Sequence, residues 1–72
     1  MSRGKFLVVD WQDRRTGQLL RSVLEFTPDG KEVVVSITPM SISQALNYFE
    51  VFGGKIVSYE VMERTNYPLT LL

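Results

Sequence analysis

The stretch that decides the fold runs from Met40 to Arg64 and reads MSISQALNYFEVFGGKIVSYEVMER. Near its start Ser41 precedes Gln44 by three residues, the spacing of a capping box that satisfies two backbone N–H groups at a helix N-terminus. The apolar residues after this point recur at helical spacing and form one stripe: Ile42, Ala45, Leu46, Phe49 and Phe52. A helix of this length depends on packing, so the stripe predicts a sheet that covers it.

The same stretch predicts the end of the helix and a strand after it. Gly53 and Gly54 come directly after the stripe, and glycine adopts the left-handed backbone of a helix C-terminus without a Cβ penalty. From Ile56 to Met62, β-branched residues are frequent and apolar residues alternate with polar ones. This two-residue period is typical of a strand.

Three earlier segments also have the pattern of strands: Lys5 to Gln12, Leu19 to Phe26, and Glu32 to Ile37. The first is apolar on both faces near its start, which is typical of a strand inside a sheet. The order is therefore β-β-β-α-β. We expect a small α+β domain over residues 1–66, with a mostly antiparallel four-stranded sheet and one helix packed on one face.

The helix also constrains the order of the strands. It joins the third strand to the fourth, so if these two share a sheet they run parallel and the crossover is right-handed. The fourth strand is expected beside the first, which places the first strand in the interior of the sheet.

Composition excludes several kinds of chemistry. The chain of 72 residues has eight basic and eight acidic residues and therefore no net charge, which removes the long-range field of most nucleic-acid-binding proteins. It contains neither cysteine nor histidine, so thiolate chemistry, disulfides and the commonest metal ligand and general base are missing. We expect a non-enzymatic cytoplasmic protein without a metal or cofactor. Because Asp10 interrupts the N-terminal apolar run, we expect neither a signal peptide nor a membrane span.

A second apolar surface is expected on the sheet. A single helix covers only one face, and the sequence pattern places a further set of apolar residues on the other: Phe6, Val8, Val34, Ile56 and Met62. Residues 67–72 form an apolar C-terminal tail, which we expect to dock on its own or a partner subunit, and which contains Tyr67, Leu69, Leu71 and Leu72. Large exposed apolar patches are rare on small monomers, so the second face predicts a covering partner.

Three partners could cover the second apolar face of the sheet: the C-terminal tail, an identical subunit, or a foreign protein. The pattern favours a protein-interaction module or small regulatory or accessory protein that self-associates, most simply as a dimer. The alternative function is single-stranded nucleic-acid binding on the open sheet face, with Phe6 as a stacking platform. Its phosphate contacts would be the nearby cations Arg3, Lys5, Arg14 and Arg15. The balanced charge counts against that alternative, and no membrane partner is expected.

Overall fold

The computed structural model describes residues 4–63. Along the chain it contains strands β1 (Lys5–Asp13), β2 (Leu19–Glu25), β3 (Val33–Val35) and β4 (Thr38–Met40), helix α1 (Ile42–Val51) and strand β5 (Gly54–Glu63). The α+β class is confirmed. No helix in this range is long and apolar enough to cross a membrane.

The main sheet has three strands in the order β2-β1-β5, and both of its strand pairs are antiparallel. Four consecutive residues of β1, from Phe6 to Val9, are buried, as expected of a strand with neighbours on both edges. The predicted interior position of the first strand is confirmed, as is the place of the last strand beside it.

The predicted four-stranded sheet is wrong, because the third predicted strand folds back on itself. Ser36 has a φ of 62°, in the left-handed region, and there the chain reverses and pairs β3 with β4 in a separate two-stranded sheet. Pro39 lies within β4, which pairs only with β3 in the described part of the chain, so the other edge of β4 tolerates a residue without an N–H donor. A single bridge between Phe26 and Val33 joins this hairpin to the end of β2. The fourth predicted strand therefore forms no parallel pair with the third, and the crossover between them does not exist.

Helix α1 begins as the sequence predicts. The Ser41 hydroxyl accepts from the Gln44 backbone N–H at 3.1 Å, and the Gln44 side-chain oxygen accepts from the Ser41 backbone N–H at 3.2 Å. Its apolar stripe is shorter than expected, because Phe52 is the C-terminal cap and is 72% exposed. Gly53 comes next with a φ of 100°, a conformation that a residue with a Cβ rarely adopts.

The core lies between the main sheet, the β3–β4 hairpin and α1. Its buried members are contributed by β1, β3 and α1: Leu7, Val9, Val33, Val35 and Ala45. Trp11 closes one end, where its ring centroid is 5.5 Å from that of Phe49 and its indole N–H donates to the Ser22 hydroxyl at 3.0 Å. The helix thus packs on one face of the sheet only.

A β-bulge aligns the start of β5 with Trp11. The register between β1 and β5 shifts there, so that Asp10 pairs with Ser58 while Trp11 pairs with Ile56, which leaves Val57 as the extra residue. At the strand end, a Cβ atom on Gly54 would lie 2.6 Å from Cε3 of Trp11 and 3.1 Å from the carbonyl oxygen of Phe49. The approach of β5 to the tryptophan ring therefore requires glycine.

We expect Gly54→Ala to lower the free energy of unfolding by about 1–3 kcal/mol, because the added methyl group overpacks the contact with Trp11. Chemical denaturation measures the change. Lys55→Ala, at the neighbouring exposed position, is the matched control and should have little effect. In a Trp11→Leu background the cost of Gly54→Ala should shrink, since the ring that it meets is gone. An equal cost in both backgrounds would show that the clash with the ring is not the cause.

Candidate functional site

The candidate site is the face of the main sheet that α1 does not cover. Residues paired across antiparallel strands lie on the same face. Phe6 pairs with Glu25 and Met62, Val8 with Val23 and Glu60, and Asp10 with Arg21 and Ser58. With the alternating end residues and the bulge residue added, we call this set the helix-free face: Phe6, Val8, Asp10, Gln12, Leu19, Arg21, Val23, Glu25, Lys55, Val57, Ser58, Glu60 and Met62.

The apolar residues of the helix-free face differ in exposure by strand. On central strand β1, Phe6 and Val8 are buried. On the flanking strands, four large side chains remain open to solvent: Leu19 at 70%, Val57 at 58%, Val23 at 57% and Met62 at 38%. The face therefore has a buried apolar centre with accessible apolar groups on both sides of it.

A shallow groove crosses one end of this face. It has a volume of about 320 Å³ and is lined by Asp10, Leu19, Arg21 and Val57 of this face, together with Trp11 and Leu20, which pair with each other on the helix side. The bulge contributes Val57 to this groove, because it turns two consecutive residues of β5 toward the same face.

The two charged residues of the groove, Asp10 and Arg21, form an ion pair. The Arg21 guanidinium donates to both carboxylate oxygens of Asp10, at 2.8 and 3.2 Å, and the Ser58 hydroxyl donates to the same carboxylate at 3.4 Å. The hydrogen bond from Arg21 lowers the pKa of Asp10 below its ordinary value, and the same bond raises the pKa of Arg21. Asp10 is thus held as a carboxylate, which suits an orienting ion pair better than a general acid.

The sequence-predicted interaction residues divide into three groups. Phe6, Val8 and Met62 lie on the helix-free face. Ile56 does not: the bulge places it opposite Trp11, on the face that packs against α1. Val34 lies in the β3–β4 hairpin, outside the main sheet. The predicted tail residues fall outside the described residues: Tyr67, Leu69, Leu71 and Leu72.

The predicted surface omitted Leu19, Val23 and Val57. The alternation of β2 carries the signal for the first two, because Leu19 and Val23 share a period with Arg21. Val57 had no such signal, since a bulge depends on which residues pair across the strands rather than on a local pattern.

The three predicted nucleic-acid contacts that the structure describes, Lys5, Arg14 and Arg15, do not form one continuous positive surface. Lys5 lies with its ammonium 4.9 Å from the ring centroid of Phe26, on the side of the sheet opposite to Phe6. Arg14 donates to the carbonyl oxygen of Glu50, and Arg15 lies 3.9 Å from the carboxylate of Asp13. The length of β1 separates Lys5 from Arg14, a distance of about 30 Å for an extended strand. Arg3 lies outside the described residues.

No cluster of three or more histidine, cysteine, aspartate or glutamate residues that could hold a metal ion is found within residues 4–63. Comparisons with protein-family models, with curated proteins and with solved structures find no match to this chain. Its function is therefore inferred from the geometry of the surface.

We expect Arg21→Met to raise the pKa of Asp10 toward its ordinary value, because the substitution removes the positive charge and both guanidinium hydrogen bonds and leaves only the Ser58 hydroxyl bond among those described. NMR titration of the side-chain carboxyl carbons measures this change. A lowered pKa in the folded state stabilises the protein above the ordinary aspartate pKa of 3.8, and that contribution is lost as the pH falls through the lowered value. The difference in unfolding free energy between wild type and variant should therefore shrink in acid. Arg15→Gln is the control and should leave the Asp10 titration unchanged.

Proposed function

We propose that this protein is a non-enzymatic protein-interaction module that self-associates through the helix-free face, with a dimer as the favoured assembly. The observation that carries this proposal is the exposure of Leu19, Val23, Val57 and Met62 around the apolar centre of one sheet face. Apolar groups grouped on one face of a small protein are typical of a surface that binds another protein. A two-fold dimer, in which the same face meets itself, is the simplest way to cover it.

The size of the domain supports self-association. A chain of 72 residues buries a smaller fraction of its surface than a larger domain does, so its stability is marginal. Each Å² of apolar area that a second subunit removes from water contributes roughly 25 cal/mol. An interface on the helix-free face would therefore stabilise the fold as well as the assembly.

The polar groups of the face support a binding role over a catalytic one. Arg21 and Ser58 both donate to the Asp10 carboxylate, and the chain has no histidine or cysteine to act beside them. In a dimer the paired charges of Asp10 and Arg21 would fix the orientation of the interface more than its strength. We propose that this small regulatory or accessory protein acts in the cytoplasm. The reducing conditions there prevent disulfide formation, and a chain without cysteine does not depend on disulfides.

Single-stranded nucleic acid is the less favoured occupant of this face. The helix-free face carries the carboxylates of Asp10, Glu25 and Glu60 beside the cations Arg21 and Lys55. Phosphate contacts need an excess of cations along a continuous path. A foreign protein with its own apolar patch is the alternative to a second copy, and the oligomeric state of the isolated protein separates the two.

We expect the wild-type protein to be a dimer at high concentration, and Val23→Glu to weaken the dimer at least about tenfold, or about 1.4 kcal/mol. The reason is that the new carboxylate would be buried without a partner. Light scattering across a dilution series measures the dissociation constant. Ile37→Glu is the matched control, since Ile37 is 89% exposed in the β3–β4 turn and outside this face.

A second variant of opposite charge separates loss of the apolar contact from an effect of charge alone. Leu19→Lys introduces the opposite charge at the other end of the face and should also weaken the dimer. Circular dichroism must show that both variants retain the fold. A wild type that stays monomeric at every concentration would exclude self-association and leave a foreign partner. A dimer that both variants leave unchanged would place the interface elsewhere.

A further inference from the structure

One edge of the main sheet has no neighbour among the described residues. Strand β5 is ten residues long and pairs with β1 along one side, and no described residue pairs with its other side. The backbone N–H and C=O groups along such an edge are a template for another strand. We call this side of the strand the β5 edge.

The hydrogen bonds of β1 show which backbone groups of β5 point outward. The Phe26 backbone N–H donates to the carbonyl oxygen of Lys5, so the backbone of Lys5 points toward β2 and away from its other partner, Glu63. Bonded and non-bonded pairs alternate along antiparallel strands. The pairs that contain Val61 and Tyr59 are therefore also non-bonded. The N–H and C=O groups of Tyr59, Val61 and Glu63 point away from β1, toward the open side.

Two apolar side chains beside this edge are incompletely covered. Tyr59 pairs with Val9 and Val61 pairs with Leu7, so all four side chains lie on the face that carries α1. Leu7 and Val9 are fully buried, but Tyr59 is 51% and Val61 45% exposed. A strand added at the β5 edge would place its own alternate side chains beside these two residues.

The residue between these two apolar positions is acidic. Glu60 pairs with Val8, so its side chain lies on the helix-free face, where it is exposed. Arg21 interacts with Glu60 electrostatically, but its guanidinium donates to both carboxylate oxygens of Asp10. From residue 58 to residue 63 the chain carries two glutamates and no basic residue. The outer half of β5 is therefore negatively charged.

This charge makes a second copy of β5 a poor occupant of the edge. Two-fold pairing that sets Tyr59 opposite Val61 in both directions places Glu60 opposite Glu60 of the second copy, and like charges directly opposite are destabilising. Pairing centred on Tyr59 places Val61 opposite Val57, whose side chain the bulge turns to the other face. Pairing centred on Val61 places Tyr59 opposite the carboxylate of Glu63. Each of these registers loses the charge match or the apolar match.

We propose that the β5 edge binds an extended segment of another protein as an antiparallel strand, and that this segment carries a basic residue between two apolar residues. The apolar residues pack beside Tyr59 and Val61 on the helix side. The Lys or Arg between them faces the other way and meets the carboxylate of Glu60. Main-chain hydrogen bonds to the outward groups supply the affinity, and the side-chain pattern supplies the specificity.

This site is independent of the proposed self-association. It uses the outward backbone of β5, whereas the proposed dimer uses the apolar side chains of the helix-free face. The size of the side-chain effect is limited by exposure to solvent. A charge pair across two strands changes an affinity by up to roughly fivefold.

NMR spectroscopy of the full chain tests the site with a synthetic peptide of sequence STVKVTS. Its lysine can lie opposite Glu60 while its valines lie opposite Tyr59 and Val61. We expect the amide signals of Tyr59, Val61 and Glu63 to shift and their hydrogen exchange to slow, because these N–H groups gain acceptors. The amides of Glu60 and Met62 already point toward β1 and should change least. This alternation is specific to strand addition.

A charge exchange tests the chemistry of the partner. The control peptide STVEVTS, with glutamate in place of the lysine, should bind the wild type about three- to fivefold more weakly. Glu60→Lys should reverse the preference between the two peptides. Glu50→Lys changes the net charge equally at an exposed position of α1, and it should leave the preference unchanged. Equal binding of the two peptides by the wild type would overturn the assignment of a basic partner.

The same spectra decide between the possible occupants. Outward β5 amides that are protected without peptide at every protein concentration would overturn the proposal and show that the chain itself covers the edge. Protection that rises with protein concentration would overturn it in favour of a second copy. Peptide-induced shifts without the alternation along β5 would show binding elsewhere and would also overturn it.

Discussion

The structure depends on the burial of β1 between two neighbouring strands. Phe6 to Val9 alternate between the two faces of the sheet, yet all four are buried. A strand of this kind must pair on both edges and must be covered, at least in part, on both faces. β2 and β5 supply the edges, while α1 and the β3–β4 hairpin cover the face that carries Leu7 and Val9. The positions of the other elements follow from this requirement.

The contact between Trp11 and Gly54 couples the helix to the sheet. The bulge at Val57 brings Ile56 opposite Trp11, and the absence of a side chain at Gly54 leaves room for the indole ring. Phe49 of α1 packs on the same ring. The C-terminal turn of the helix, the start of β5 and the end of β1 therefore meet at one residue. The same bulge turns Val57 outward, so a feature that fits the core together also adds an apolar group to the helix-free face.

The two faces of the main sheet have different consequences for function. On the helix side, the buried side chains of β1 are enclosed by α1 and the β3–β4 hairpin, whereas Tyr59 and Val61 of β5 remain about half exposed. On the helix-free face, the apolar side chains of β2 and β5 flank a bonded pair, Asp10 and Arg21. Apolar area favours association without direction, whereas a fixed ion pair favours one orientation. This combination is the basis for proposing a protein interface there.

The sequence by itself determined the helix, the first, second and last strands, and the interior position of β1. The capping box at Ser41, the glycine pair after the helix and the alternation of the strands depend on neighbouring residues, so they can be read without knowledge of the fold. The two apolar faces of β1 supported its interior position, and the order of the elements predicted β5 beside it; both placements are confirmed. The apolar positions Phe6, Val8 and Met62 followed from the same alternation.

Only the tertiary structure decided the features that depend on pairing between distant residues. The reversal at Ser36 uses a left-handed conformation that serine seldom adopts, so the local pattern favoured one continuous strand where the structure has a hairpin. The bulge shifts Ile56 to the helix side because of its partner Trp11, which lies far away in the sequence. Phe52 has helical spacing but is exposed, because the helix ends at it. A periodic pattern reports which side chains share a face, whereas long-range packing decides which face is covered.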